Sequence, residues 1–343
     1  MTLDPVSALM LDEAGPLSGR VLVVDDVEAR LTHAAQAAGA EVLTWCDDVR
    51  DLDLVPPANR LPGAPPAGWR PDVVLLRLPT SLSALEDYAE HLARLLAPGG
   101  RLVAGGRTKH MTPTQNDVLR RHFAEVRASL GRQKSRVLEA TGPTPGPRRW
   151  PARRHHPEVG VTAIAHGHVF NTNRLDDGTH LLLRTLARSA GEPVTDPRAS
   201  RGVALDVGSG SGIIAAWLAQ RGWSTTATDV SYSAAHSTRL TARANGVRVA
   251  TRRADMLTGV RSHSVDLLVS NPPFHVGAAK DSTPTLRMIR DASRVLRPGG
   301  ELWLVFNAHL PYLAALRLYV GVTTIEAQDR HYIVARALKE PAP

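Results

Sequence analysis

The chain has 343 residues, 43% of them hydrophobic and 4% aromatic, which is too long for one comfortable core and suits two cores built from Leu, Val and Ala. Cys46 is the single cysteine and the fourteen histidines show no ligand spacing, so an internal disulfide and a metal site are not expected. Met1 to Arg20 carries acids where a secretory leader needs basic residues, and no apolar run nears the roughly 20 residues of a membrane helix; a cytoplasmic, membrane-free monomer is expected. The net charge of +8 is unevenly placed: residues 1–140 hold 16 Lys and Arg against 18 Asp and Glu, residues 141–343 hold 25 against 15. A positive field in the C-terminal half favours a polyanion such as nucleic acid, whose condensed counterions are released on binding.

In chain order, short apolar runs predict strands at Arg20–Val24, Glu41–Thr44, Asp72–Leu76 and Arg101–Ala104. Thr141 to Pro157, rich in Pro and Arg, reads as a linker without regular structure. Beyond it the alternation of strand and helix patterns is fuller. Strands are expected at Val203–Val207, Ser224–Thr228, Val247–Ala250, Val265–Ser270 and Glu301–Phe306, and helices at Gly212–Arg221, Ser233–Ala244 and Leu286–Leu296. Thr323–Gln328 and His331–Leu338 flank an Asp329-Arg330 turn and predict a closing hairpin. The halves share a pattern. Leu96-Ala97-Pro98-Gly99-Gly100-Arg101-Leu102 matches Leu296-Arg297-Pro298-Gly299-Gly300-Glu301-Leu302, and Asp72-Val73-Val74-Leu75-Leu76 matches Asp266-Leu267-Leu268-Val269-Ser270. The expected architecture is therefore α/β, with two tandem doubly wound domains at 1–140 and 161–343 and a linker at 141–160. The second sheet is expected to have seven mostly parallel strands and to end in the antiparallel hairpin.

Asp206-Val207-Gly208-Ser209-Gly210-Ser211-Gly212 follows a strand and opens a helix, where a nucleotide-like ligand meets a doubly wound sheet. Ile213 stands where the dinucleotide fingerprint needs its third glycine, which argues against a nicotinamide-dependent oxidoreductase. Asp229 ends the next strand, where a carboxylate can accept both ribose hydroxyls of an adenosine, and Asp255 follows the third, within reach of an adenine amine. Either acid alone is equally a cap or a surface charge; with the loop they make an adenosyl site. Asn271-Pro272-Pro273-Phe274 ends the fourth strand. An exocyclic amine on a base is a poor nucleophile because its lone pair is delocalised. A carboxamide oxygen from Asn271 and the carbonyl of Pro272 can accept its two N–H bonds and localise that pair. The prolines stiffen the turn, and Phe274 offers a stacking face for a flipped base. His275, next in line, serves either substrate or structure. Arg148, Arg149, Arg153 and Arg154 surround Trp150 as an RNA-contacting strip or a solvated linker would.

With Phe170, Leu175-Asp176-Asp177-Gly178-Thr179, the Asp206 to Gly212 loop, Asn271 to His275, Pro298-Gly299-Gly300 and the closing hairpin, nearly the whole chain resembles bacterial ribosomal RNA guanine-N2 methyltransferases of the RsmC/RlmG kind. These are class I enzymes with a small methyltransferase domain, joined to a degenerate one. The resemblance implies methyl transfer from S-adenosylmethionine to the 2-amino group of a guanine in ribosomal RNA, free or in a ribosomal subunit. It places Gly208, Gly210 and Gly212 on the methionine side, Asp229 on the ribose, Asp255 and Met256 on the adenine, and Asn271 to Phe274 on the target base. Because Asn-Pro-Pro is shared with adenine-N6 and glutamine methyltransferases, those acceptors stay open, as does a non-catalytic RNA-binding assembly factor. The N-terminal half departs from the pattern. Val24-Asp25-Asp26-Val27-Glu28 replaces the glycine loop and Arg77-Leu78-Pro79-Thr80 replaces Asn-Pro-Pro-Phe, so no cofactor is expected there.

Overall fold

The computed structural model describes residues 3–63, 65, 66, 68–189, 200–272 and 283–340. The chain forms two compact units, residues 1–151 with 166–168, and residues 152–165 with 169–343.

The first unit runs α1 (Pro5–Ala14), β1 (Arg20–Val24), α2 (Arg30–Ala37), β2 (Glu41–Trp45), α3 (Val49–Leu52), β3 (Val73–Arg77), α4 (Leu82–Leu95), β4 (Arg101–Arg107), α5 (Pro113–Arg120), β5 (Phe123–Ala128) and β6 (Ser135–Pro143). Its six strands lie in the order β2-β1-β3-β4-β6-β5, with β6 antiparallel to both β4 and β5. Neighbours along a strand point to opposite faces. Leu22, Val74 and Leu102 accordingly enter one core, while Val23, Leu75 and Val103 enter the other.

The second unit runs β7 (Ala152–His156), β8 (Val161–Ala165), α6 (Asp177–Ser189), β9 (Val203–Val207), α7 (Ile213–Gln220), β10 (Ser224–Asp229), α8 (Tyr232–Ala244), β11 (Val249–Arg253), β12 (Val265–Ser270), α9 (Thr283–Val295), β13 (Leu296–Asn307), α10 (Tyr312–Tyr319), β14 (Gly321–Gln328) and β15 (Tyr332–Lys339). Its seven-stranded sheet has the order β11-β10-β9-β12-β13-β15-β14, parallel except for β15, which is antiparallel to β13 and β14. Leu205, Leu268 and Leu304 pack under α9 and α10, while Ala204, Leu267 and Trp303 pack under α6 and α7. Among the described residues no helix is long and apolar enough to cross a membrane.

The duplication read from the sequence is physical. Asp72 Oδ2 accepts the Arg20 N–H at 2.8 Å, and its counterpart Asp266 Oδ2 accepts the Val203 N–H at 2.7 Å. A Cβ on Gly100 or Gly300 would stand 2.9 Å from the carbonyl oxygen of Ala97 or Arg297 respectively. Among the described residues the place of β11 in the first sheet holds only a single parallel bridge, Thr44 with Arg60, where the Leu61 N–H donates to Thr44 O at 2.9 Å.

One expectation is corrected. The Pro/Arg-rich segment is not irregular throughout, because Ala152–His156 forms β7 and pairs with β8, Arg154 facing Ala163. Main-chain hydrogen bonds do not depend on the polar side chains that made this stretch read as a linker. Burial comes from β8, whose other edge is tied to α8: Asn245 Oδ1 accepts the Thr162 N–H at 2.9 Å and Thr241 Oγ1 accepts the Ile164 N–H at 2.9 Å. Strand β13 also begins earlier than expected, with a register shift against β12 between Val265 and Leu267 across the Pro298-Gly299-Gly300 stretch.

Candidate active site

Three neighbouring parallel strands end at one rim. Val207 of β9 is level with Thr228 of β10 and with Ser270 of β12, so the glycine turn, Asp229 and Asn271 leave the sheet side by side. Hydrogen bonds lock this rim: the Gly208 and Ser209 N–H groups donate to Thr228 O, and the Ser270 side chain donates its Oγ–H to Val207 O at 2.7 Å. The Ala254 N–H donates to Asp229 O at 2.8 Å, which brings the loop after β11 to the same place.

The turn from Gly208 to Gly212 needs its glycines. All three, Gly208, Gly210 and Gly212, have φ between 51° and 78°, a left-handed region that costs other residues roughly 1–2 kcal/mol. Helix α8 holds the turn from outside, with Thr238 Oγ1 bonded to Ser209 Oγ at 2.9 Å and Thr241 Oγ1 donating to Ser211 O at 2.7 Å. A Cβ on Gly212 would lie 2.6 Å from the Thr238 Cα, whereas one on Gly208 meets nothing within 4 Å. Gly208→Ala is therefore expected to cost only the backbone term. Gly212→Ala must also push two packed backbones apart, for a total loss of roughly 2–5 kcal/mol. Calorimetric melts of the two variants should separate them by several degrees; equal melting temperatures would refute the close approach.

Asp206 is fully buried at the end of β9, and neither carboxylate oxygen has a donor in hydrogen-bond geometry. Burial, with the nearby Asp229 charge, pushes its pKa up to about 8. Asp229 is anchored by the Gly210 N–H at 3.0 Å and the Ser231 N–H at 2.9 Å. Asp255 is divided. Its Oδ2 accepts from Arg287 Nη2 of α9 at 2.9 Å, while its Oδ1 is buried without a partner. The next residue, Met256, has φ 49° and packs half-buried against the core.

The Asn271 carboxamide is held in one orientation. Its Nδ2 donates to Asp176 Oδ2 at 2.9 Å and to Thr179 Oγ1 at 2.8 Å. A carboxylate only accepts, so the atom facing Asp176 must be the amide nitrogen. Both amide hydrogens are then used, and Oδ1, buried with no partner, is left as a pure acceptor. Asp176 is fixed in turn, since its Oδ2 caps α6 by accepting the Thr179 N–H at 3.0 Å. Gly178 leaves room for this arrangement, as a Cβ there would stand 3.0 Å from Asp176 Oδ2 and 3.1 Å from the Tyr332 ring.

The first unit keeps the shape of a glycine turn without the glycines. Asp25, Glu28 and Ala29 have φ of 57°, 57° and 55°. The Asp26 carboxylate is tied to the start of α2, accepting the Leu31 and Thr32 N–H groups at 3.0 and 2.8 Å. Tyr88 donates its hydroxyl to Asp25 Oδ2 at 2.6 Å.

Comparison with known proteins follows this geometry. Residues 160–336 match the family described as Methyltransferase small domain, and residues 57–144 match the RLMG N-terminal domain. The chain belongs to the small-domain methyltransferases. It is 36% identical over 348 residues to ribosomal RNA large subunit methyltransferase G of Streptomyces avermitilis, covering 95% of this chain and 88% of the relative. The like-named protein of Pseudomonas aeruginosa is 38% identical over 270 residues, covering 77% and 70% of the two chains. Ribosomal RNA small subunit methyltransferase C of Chromohalobacter salexigens is 44% identical over 181 residues, covering 53% and 52%. Among solved structures, the T. thermophilus 16S rRNA N2 methyltransferase RsmC, in complex with AdoMet and guanosine, shares the fold with a TM-score of 0.78. That match has 23% identity and covers 98% of this chain and 92% of the other.

In this small-domain methyltransferase, Asp206, Gly208, Gly210, Gly212, Asp229, Asp255, Met256, Asn271 and Pro272 are brought to one rim as expected from the sequence. Pro273, Phe274 and His275 lie outside the described residues. Arg149 belongs to the first unit, where its guanidinium lies 3.6 Å from Glu86 and its N–H donates to Glu90 at 2.7 Å. Arg153 is exposed on β7. Sequence reasoning missed the Asp176 and Thr179 contacts on Asn271, the Arg287 contact on Asp255, and Thr238 against Gly212. Only the first left a trace: Asp176 and Thr179 stand at capping spacing, which reports the helix end but not what else the carboxylate touches. Among the described residues there is no group of three or more side chains suited to a metal ion.

Proposed function

We propose that this methyltransferase transfers a methyl group from S-adenosylmethionine to the exocyclic 2-amino group of a guanine in ribosomal RNA. The observation that carries the reading is the Asn271 carboxamide, whose nitrogen is doubly committed and whose oxygen is a buried acceptor without a partner. Such a pole suits an N–H donor and offers nothing to an oxygen nucleophile, which brings no hydrogen to give once ionised. The Pro272 carbonyl is the second acceptor, and Phe274, with His275, is the proposed platform for the base. Arg149 and Arg153 are proposed to contact RNA.

The remaining groups fit the cofactor. The left-handed turn from Gly208 to Gly212 lets backbone approach the methionine side beside Asp206, Asp229 stands at the end of β10 where a carboxylate can accept ribose hydroxyls, and the orphaned Asp255 Oδ1 matches an adenine amine beside Met256. The cofactor, when bound, supplies an electrophilic sulfonium methyl. The protein supplies orientation: Asn271 and Pro272 take the amine's hydrogens so that its lone pair points toward that methyl, and the surplus proton leaves to solvent after transfer. Guanine is favoured because the RsmC structure holds guanosine with AdoMet. The first unit, residues 1–140 in its methyltransferase-like part, is proposed to bind no cofactor, since in the equivalent turn Asp26 is tied to α2 and Asp25 to Tyr88. A ribosomal RNA substrate implies action in the cytoplasm.

The test is methyl transfer from labelled S-adenosylmethionine to unmethylated ribosomal subunits and free rRNA, followed by nucleoside analysis. Label is expected in N2-methylguanosine. Label in N6-methyladenosine or in protein, with unlabelled guanosine, would replace the reading.

A further inference from the structure

We infer that the outer face of α8 is a docking surface for the sugar–phosphate backbone of the RNA beside the target base, an inference that rests on the proposed RNA substrate. Between Val230 and Ala254 the chain carries five arginines, Arg239, Arg243, Arg248, Arg252 and Arg253, and no acidic residue. The stretch is not a random solvated surface. The inner face of α8 is closed by Ala234, Ala235, Thr238, Thr241 and Ala242. The outward positions Tyr232, His236, Arg239 and Arg243 repeat at intervals of four, three and four residues and so form one stripe along the helix.

The stripe begins at the rim. Ser231, the α8 cap, donates its N–H to Asp229, so Tyr232 stands one turn from the site and the arginines lead away from it. At that end the Tyr232 and His236 rings lie 5.9 Å apart, and the Arg253 guanidinium sits 5.9 Å from the Tyr232 ring. Arg239, Arg243 and Arg248 make no ion pair among the described residues. Among the other exposed arginines of this unit Arg287, Arg294 and Arg297 pair with Asp255, Asp291 and Asp266, while Arg153, Arg261 and Arg317 make no ion pair among the described residues, so it is the spacing along one helix face that sets this stretch apart. A row of uncompensated guanidiniums spaced along a helix, starting beside an aromatic pair, matches a polyphosphate with unstacked bases at one end.

The experiment uses the full chain and the double variant R239Q/R243Q, glutamine being a good helix former. A second double variant, R261Q/R317Q, makes the same change in net charge at exposed positions of the same unit. Binding of a fluorescent oligouridylate is followed by anisotropy across a salt series, because uridylate offers backbone and stacking without a guanine. Roughly tenfold weaker binding and a log–log salt slope shallower by about 1.4 are expected for R239Q/R243Q, with little change in the control. S-adenosylmethionine affinity should stay at the wild-type value, and KM for rRNA should rise with kcat preserved. Equal binding by wild type and R239Q/R243Q, or an equal loss in both double variants, would overturn the inference. Wild-type turnover on rRNA, read separately, tests the methylation reading without touching this one.

Discussion

Replacing Asn271 by Ala is expected to lower the rate of methyl transfer by on the order of 10²–10³-fold while leaving cofactor affinity within a few-fold. The size follows from what is lost. In the proposed reaction Oδ1 is an acceptor already aimed by two fixed partners, so binding of the amine would need no reorganisation, and a buried acceptor of this kind is worth far more than one in solvent. The fold should survive. Asp176 keeps the Thr179 N–H and the Asn171 side-chain amide at 3.3 Å, so α6 stays capped. Asp176→Ala should give a smaller loss, of about tenfold, because it frees the carboxamide to rotate without deleting it. Single-turnover rates with calorimetric titration of the cofactor separate these effects. Near-normal transfer by Asn271→Ala would remove the acceptor role.

The elements carrying this site were legible in the sequence because each leaves a local signature. The alternate glycines mark left-handed backbone, the acids sit at strand ends, and Asn271-Pro272 interrupts a pattern that is otherwise apolar strand. Even the tandem architecture could be read, since the Asp72 and Asp266 repeats encode the same tie to a neighbouring strand, β1 in one sheet and β9 in the other. What stayed hidden was contact at long sequence distance. The spacing of Asp176 and Thr179 announces a helix cap, but nothing in it announces that the same carboxylate clamps a carboxamide 95 residues away. Arg287 is one of many arginines until α9 places it against Asp255. Strand β7 was missed for a different reason: its residues are polar and three are exposed, so the burial that defines a strand in sequence belongs to its partner β8. Helix α1 gave little signal, although Asp4 caps it well, with N–H bonds from Val6 and Ser7.

Asp206→Asn is expected to stabilise the cofactor-free protein in alkali and not in acid. Burial and the Asp229 charge raise the folded-state pKa from 3.8 to about 8. Below about pH 4 the carboxyl is protonated in both folded and unfolded chains, and the substitution changes little. Between about pH 4 and pH 8 the unfolded chain releases the proton and the folded chain keeps it, so wild-type stability falls as pH rises. Above about pH 8 both states are ionised and the penalty is complete, with a ceiling near ~6 kcal/mol that local relaxation and water entry reduce. Asparagine cannot ionise and escapes this loss. Urea unfolding at pH 5 and pH 9 should therefore show a gap between variant and wild type that widens with pH; a gap independent of pH, or none at pH 9, would sink the argument. Asp206 stands at the root of the glycine turn, where burial and the Asp229 charge outweigh the Ala215 N–H that favours its ionised form, and strongly shifted buried carboxyls of this kind are concentrated at ligand sites. Under the proposed function the sulfonium cofactor brings a positive charge to this turn, so the same substitution is expected to weaken cofactor binding as it strengthens the fold.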